Sequence, residues 1–146
     1  MLFPLLFQKS NFTGLLNYIW FASSFIVGFR EEIFYRGFVQ YSLSKSKSII
    51  TSILLTSLIF TSYHVIFLIW GQWFTLVQIF IWSLIIGNIY YITKSIVFVS
   101  LIHGVYDAIP FITPFNQSKL SYLHGLILLV LALFALVPIF VKKTKT

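Results

Sequence analysis

The chain has 146 residues, 59% of them hydrophobic, 20% aromatic and only 9% charged, with a formal net charge of +7. That is too apolar for a soluble domain of this size. The lysines sit at the ends of apolar runs, which is the topogenic pattern of a membrane protein and not a nucleic-acid footprint, and the absence of cysteine excludes disulfides, thiolate zinc sites and a cysteine nucleophile.

Residues 1–7 are apolar, with no basic stretch before them and no small-residue cleavage site after them, so no removable signal peptide is expected. Residues 12–29 have the length one helix needs to cross a bilayer. Ile33, Phe34, Phe38, Val39 and Leu43 let that helix continue to about residue 43, beyond a charged cluster that begins at Arg30 and ends at Arg36. Residues 42–48, with Lys45 and Lys47, read as a loop. A second span, 49–70, ends at Gly71, with Trp70 and Trp73 as an interfacial belt. The third span covers 74–92, and Tyr90, Tyr91 and Lys94 mark its exit. The fourth, 95–109, is short and is predicted to stop at Pro110. A last span, 120–141, precedes a tail with Lys142, Lys143 and Lys145.

The expected fold is therefore all-α, a polytopic membrane helix bundle of about five transmembrane helices. It forms one integral membrane domain over 1–146, with no internal repeat. The positive-inside rule gathers Lys45, Lys47, Lys94 and the tail lysines in the cytoplasm, which puts the carboxyl terminus there and the amino terminus outside.

The three carboxylates are Glu31, Glu32 and Asp107, and each lies in or beside an apolar run, as do His64 and His103. Ionisable groups in hydrocarbon cost at least a few kcal/mol each, which makes them functional candidates. With a rise of 1.5 Å per residue from the cytoplasmic end of each span, Glu31 lies roughly 18 Å deep, His64 roughly 22 Å, and His103 and Asp107 roughly 12 and 18 Å. Each group alone has a bland reading, as a headgroup flank or as a polar pair between helices. Their meeting at a similar depth on three helices favours a common site. His124 has no such companions and is read as structural.

Helical spacing sorts the groups by face. Glu32 and Arg36 are four residues apart and can pair, largely cancelling each other's cost. Glu31 is turned about 100° away and has Tyr35 on its own face, which leaves it without a local cation. His103 and Asp107 share a face, as do Phe60 and His64. Beside His103 runs a stripe of small residues, Ser100, Gly104 and Ala108, that would let another helix approach closely.

An unpaired buried glutamate near an imidazole suits the activation of water. A second imidazole with a nearby carboxyl could stabilise the oxyanion of a tetrahedral intermediate. The chemistry expected is hydrolysis of an amide bond in or at the membrane. Asp107 is the sole aspartate, which excludes an aspartic dyad, and His-Glu-x-x-His and Gly-x-Ser-x-Gly are both absent. Two histidines and two carboxylates, His64, His103, Glu31 and Asp107, could still hold zinc.

The pattern Glu31-Glu32-x-x-x-Arg36, then Phe60-x-x-x-His64, then His103-x-x-x-Asp107, on successive membrane helices, resembles the three motifs of the CPBP intramembrane proteases, also called the Abi or CAAX-protease family. The resemblance covers about 27–109. That family includes the type II CAAX prenyl endopeptidases and many bacterial proteins linked to bacteriocin self-immunity and peptide processing. The resemblance implies an intramembrane endopeptidase of the bacterial cell membrane, acting on a membrane-associated peptide or protein. In it Glu31 activates water, His64 helps to bind the water, and His103 and Asp107 face the scissile carbonyl. Glu32, Arg36 and Phe60 would support them. No cofactor is implied for the prenyl-protease branch, although zinc is the alternative for a metal-dependent hydrolase.

Two departures bear on these expectations. Asp107 stands where the prenyl proteases usually carry asparagine, so it must be protonated, orient His103 or act as a ligand. The amino-terminal part is also shorter than theirs, and the cavity walls could then come from a second copy or a partner. Two other functions compete: a non-catalytic immunity or interaction protein, and a proton-coupled transporter, which the lack of repeat symmetry disfavours.

Overall fold

A computed structural model of the chain describes residues 15–69 and 71–112. The predicted last span at 120–141, the basic tail, His124, Trp70 and residues 12–14 lie outside the described residues. Among the described residues all regular elements are helical: α1 (Leu15–Glu32), a π-helical segment (Ile33–Gln40), α2 (Tyr41–Ser44), α3 (Ile49–Tyr63), α4 (Ile66–Ile69), α5 (Trp73–Thr93) and α6 (Ile96–Ile112). The first three follow one another without a loop, so the helix does run through the charged cluster, as its apolar spacing predicts.

The π-helical segment was not legible in the spacing. The backbone N–H of Tyr41 donates to the carbonyl of Arg36, five residues back and not four, which is the hydrogen bond that defines this wider turn. Such turns are rare and concentrate at functional sites. Here the segment carries Tyr35, Arg36 and Gln40 as its buried side chains.

Two helix ends differ from expectation. The second span is not continuous to residue 70, because α3 stops at Tyr63 and the chain turns at His64 and Val65 before α4. The fourth span does not stop at Pro110, because α6 continues to Ile112. A proline removes its own N–H from the ladder and crowds the carbonyl four residues back, but the residues after it still carry their N–H groups. The other ends are capped as the sequence suggests. Ser48 accepts a hydrogen bond from the Thr51 N–H at 3.2 Å and starts α3. Lys94 adopts a left-handed backbone, φ 54°, and its N–H closes α5 on the Tyr90 carbonyl at 2.8 Å.

The distribution of side chains is inverted relative to a water-soluble protein. Glu31, Glu32, Arg36, Gln40, Thr56, His64, Asn88 and His103 are buried, while Ile26, Phe38, Leu58, Val77, Val97 and Leu101 are exposed. Backbone and side-chain polar groups that have no water outside must be satisfied inside, which is the arrangement hydrocarbon imposes. Among the described residues, Trp73–Thr93 is both long and apolar enough to cross a membrane, and Ile49–Tyr63 and Ile96–Ala108 are shorter apolar helices.

Helix α6 lies against α1 along the predicted small-residue stripe. Ser100 and Ala108 are almost fully buried, and a Cβ at Gly28 would stand 2.9 Å from the Gly104 nitrogen. A Cβ at Gly104 would meet the Phe25 ring at 2.5 Å and the Phe25 Cα at 2.9 Å. Because backbone as well as ring must yield, Gly104→Ala is expected to lose about 1–3 kcal/mol of stability through overpacking. Thermal unfolding in detergent would read this as a lowered midpoint. An unchanged midpoint would mean that the two helices separate freely.

Candidate active site

Arg36 anchors the interior. Its guanidinium is fully buried and donates to Glu32 Oε1 at 3.2 Å, to the Ser83 carbonyl at 3.0 Å and to Ser83 Oγ at 2.9 Å. Its Cζ lies 5.1 Å from the centroid of the Phe60 ring, within reach of a cation–π interaction. The predicted Glu32 and Arg36 pair is therefore present, and it is tied to α5 by a serine that stands in an apolar run. Four residues further along each element, the Gln40 amide donates to the Gly87 carbonyl at 2.9 Å. The Gly87 backbone has no side chain to keep that amide away: a Cβ there would stand 3.0 Å from Gln40 Oε1.

Glu32 has a second partner that the spacing did not indicate. Its Oε1 accepts a hydrogen bond from His103 Nδ1 at 2.7 Å, with both side chains fully buried. The bond joins the first helix to α6 and fixes the imidazole so that Nε2 points the other way. On that side stand Glu31 Oε2 at 3.8 Å and Asp107 Oδ2 at 3.6 Å. Trp82 packs edge-on against the imidazole at 6.2 Å and stacks on Tyr106 at 4.1 Å, so the outer wall of this group is aromatic.

Glu31 is not wholly without a cation. Arg30 Nη2 reaches its Oε1 at 3.3 Å, a neighbour that face geometry alone did not predict, because a long side chain can fold back over one position. The Arg30 side chain is 65% exposed, however, and an ion pair so open to solvent contributes little. Glu31 Oε2 is buried and has no hydrogen-bond partner. The expectation that Glu31 has no local cation is therefore corrected at Oε1, while Oε2 makes no hydrogen bond.

His64 owes its position to the break after α3. The His64 N–H bonds to the Thr61 carbonyl at 2.9 Å, a tighter turn than the α-helical one. The ring then takes over the carbonyl of Phe60, to which Nδ1 donates at 2.9 Å. A carbonyl can only accept, so Nδ1 carries the hydrogen and Nε2 presents a lone pair. That Nε2 is buried and has no partner. The Phe60 ring touches both imidazoles, with centroids 4.8 Å from His64 and 6.1 Å from His103. The structure brings Glu31, Glu32, Arg36, His103 and Asp107 into one hydrogen-bonded and ion-paired group, and sets His64 beside it across Phe60.

The capping role and the chemical role of His64 can be separated. An asparagine amide can donate to the Phe60 carbonyl as Nδ1 does but has nothing in place of Nε2. His64→Asn is expected to keep its melting temperature within a few degrees and to lose about a hundredfold or more in peptide cleavage. A variant that cleaves normally would reduce His64 to a helix cap.

Ser83, Gln40 and Trp82 complete the group, and no pattern in the sequence marked them. A serine or glutamine in an apolar run more often serves helix packing, and a tryptophan in a span reads as belt or core. Among the described residues no group of three or more histidine, aspartate and glutamate side chains is placed to hold one metal ion, so the four candidate zinc ligands do not form a cage as they stand.

These features define a helix bundle whose charges are turned inward around two imidazoles, which makes that group the candidate functional site of a membrane-embedded protein. The chain belongs to the type II CAAX prenyl endopeptidase Rce1-like family, whose model matches residues 13–109. The match takes in the whole of the first helix as well as the three motifs. It makes this a membrane protein of a protease family. No curated protein and no solved structure matches the chain.

Proposed function

We propose that the protein is an intramembrane endopeptidase that hydrolyses a peptide bond of a membrane-associated peptide or protein, with Glu31 as the base that activates water. The observation that carries this reading is the second carboxylate oxygen of Glu31, buried, without a hydrogen-bond partner, and 3.8 Å from His103 Nε2. A single water beside the two atoms would be within hydrogen-bond reach of both. Glu31 takes a proton from this water as its oxygen attacks the scissile carbonyl, and later returns the proton to the leaving amine. His64 Nε2 accepts the other hydrogen of the water.

His103 then faces the oxyanion. For its Nε2 to donate, the imidazole must carry hydrogens on both nitrogens, and the Glu32 carboxylate at Nδ1 compensates that charge. Arg36 in turn balances Glu32. Asp107, 3.6 Å from Nε2, orients the imidazole or shares its proton, a task open to an aspartate that an asparagine performs differently. We place the carboxyl terminus in the cytoplasm on the lysine distribution, and the membrane in a bacterium on the likeness of the three motifs to those of bacterial peptide-processing proteins.

Two measurements test this. Cells carrying the wild type are expected to contain processed membrane or secreted peptides that cells carrying Glu31→Gln lack. Identical peptide sets, with both proteins present in the membrane, would favour the binding function instead. In this mechanism no metal is needed, so purified protein is expected to be active after chelation. One equivalent of zinc that disappears in His64→Ala and His103→Ala would replace glutamate activation by metal activation.

A further inference from the structure

At the end of the bundle away from the imidazoles, a cavity of about 290 Å³ opens between α2, the start of α3 and the end of α5, at the lower end of the range for small-molecule sites, about 300–1,000 Å³. Its walls are Tyr41, Tyr90 and Tyr91, with Ser44, Ser52 and Lys94 among the polar lining. Two ammonium groups are held against these tyrosines: Lys94 Nζ is 4.1 Å from the Tyr91 ring centroid, and Lys45 Nζ is 4.5 Å from that of Tyr41. No carboxylate opposes them, because Glu31, Glu32 and Asp107 all gather around His103.

We propose that this cavity binds the headgroup of an anionic phospholipid. Lys94 in the lining supplies charge for a phosphate, Lys45 beside the Tyr41 ring adds to it, and the phenol hydroxyls of Tyr41 and Tyr90 supply donors, since the Ser44 and Ser52 hydroxyls already donate to the Tyr41 and Ser48 carbonyls. The tyrosine rings present the apolar-to-polar wall that the headgroup level of a bilayer favours. Lysines at a membrane surface attract anionic lipid with about 1 kcal/mol each, and a walled cavity adds shape to that attraction. Of the groups placed in or around the hydrolytic centre the cavity shares Gln40, which stands in its lining and is left unchanged in the variants below.

The test is native mass spectrometry of the full chain released from mixed vesicles of phosphatidylglycerol and phosphatidylcholine. Wild type is expected to retain phosphatidylglycerol over phosphatidylcholine by about thirtyfold, at about 1 kcal/mol for each of the two lysines. The variant Lys45→Gln with Lys94→Asn, whose asparagine tolerates the left-handed backbone, is expected to lose that preference, and the double arginine variant to keep it. Thermal unfolding of each variant confirms that it is folded. Equal retention of the two lipids, or a preference unaltered in the neutral variant, would overturn the proposal. So would displacement of phosphatidylglycerol by millimolar inorganic phosphate, which would make the ligand a free anion.

Discussion

Replacing Glu31 by glutamine is expected to lower peptide hydrolysis by about a thousandfold, within the range of 10²–10⁴ that a positioned general base contributes. The fold is expected to survive. Glutamine has the same shape, its carbonyl oxygen can still accept from Arg30, and the partner lost is a side chain that is 65% exposed. The change also removes a buried charge, whose desolvation the protein no longer has to offset. Cleavage of a quenched, membrane-anchored peptide in nanodiscs measures the rate, and a thermal melt in the same preparation measures the fold. A variant retaining more than about a tenth of wild-type turnover would remove Glu31 from the chemistry, and Asp107 would be the next carboxylate to test.

The second large effect falls on stability. Arg36→Leu is expected to cost about 3–5 kcal/mol, the range found when one partner of a buried pair is removed. Three donated hydrogen bonds disappear, and Glu32 keeps only His103 as a donor. Replacing both partners, as in Glu32→Leu with Arg36→Leu, is expected to recover much of that loss, because the unpaired charge is gone. Activity is not expected to recover, since His103 Nδ1 then has no carboxylate to fix its ring. Chemical denaturation of the two single variants and the double variant forms the cycle that measures the coupling. Additive losses would mean that Glu32 and Arg36 contribute independently.

Much of the fold and of the candidate site could be read from the chain before any coordinates. The scarcity of charge made each acid conspicuous, and four-residue spacing on a helix correctly paired Glu32 with Arg36 and placed His103 beside Asp107. The stripe of Ser100, Gly104 and Ala108 foretold a close approach by another helix, and the structure shows that it is the first. What escaped was anything that depends on the partner across the gap. The hydrogen bond between Glu32 and His103 links residues 71 apart in sequence, and no periodicity within one helix can indicate it. Ser83 escaped for the same reason. The turn at His64 escaped because isoleucine, phenylalanine and leucine on both sides look like one uninterrupted span; the break exists because the imidazole itself satisfies the carbonyl that the helix abandons.

The π-helical segment between Ile33 and Gln40 bears on how relatives should be compared. A widened turn of this kind is equivalent to one extra residue in an otherwise ordinary helix, so the two carboxylates just before the segment and the arginine and glutamine within it are held in phase by a chain-length accident that point substitutions do not disturb. Homologues that keep the same centre must keep the same number of residues across it. An insertion or gap in that stretch marks a lineage in which the charged interior has been rebuilt, even where every motif letter is still present.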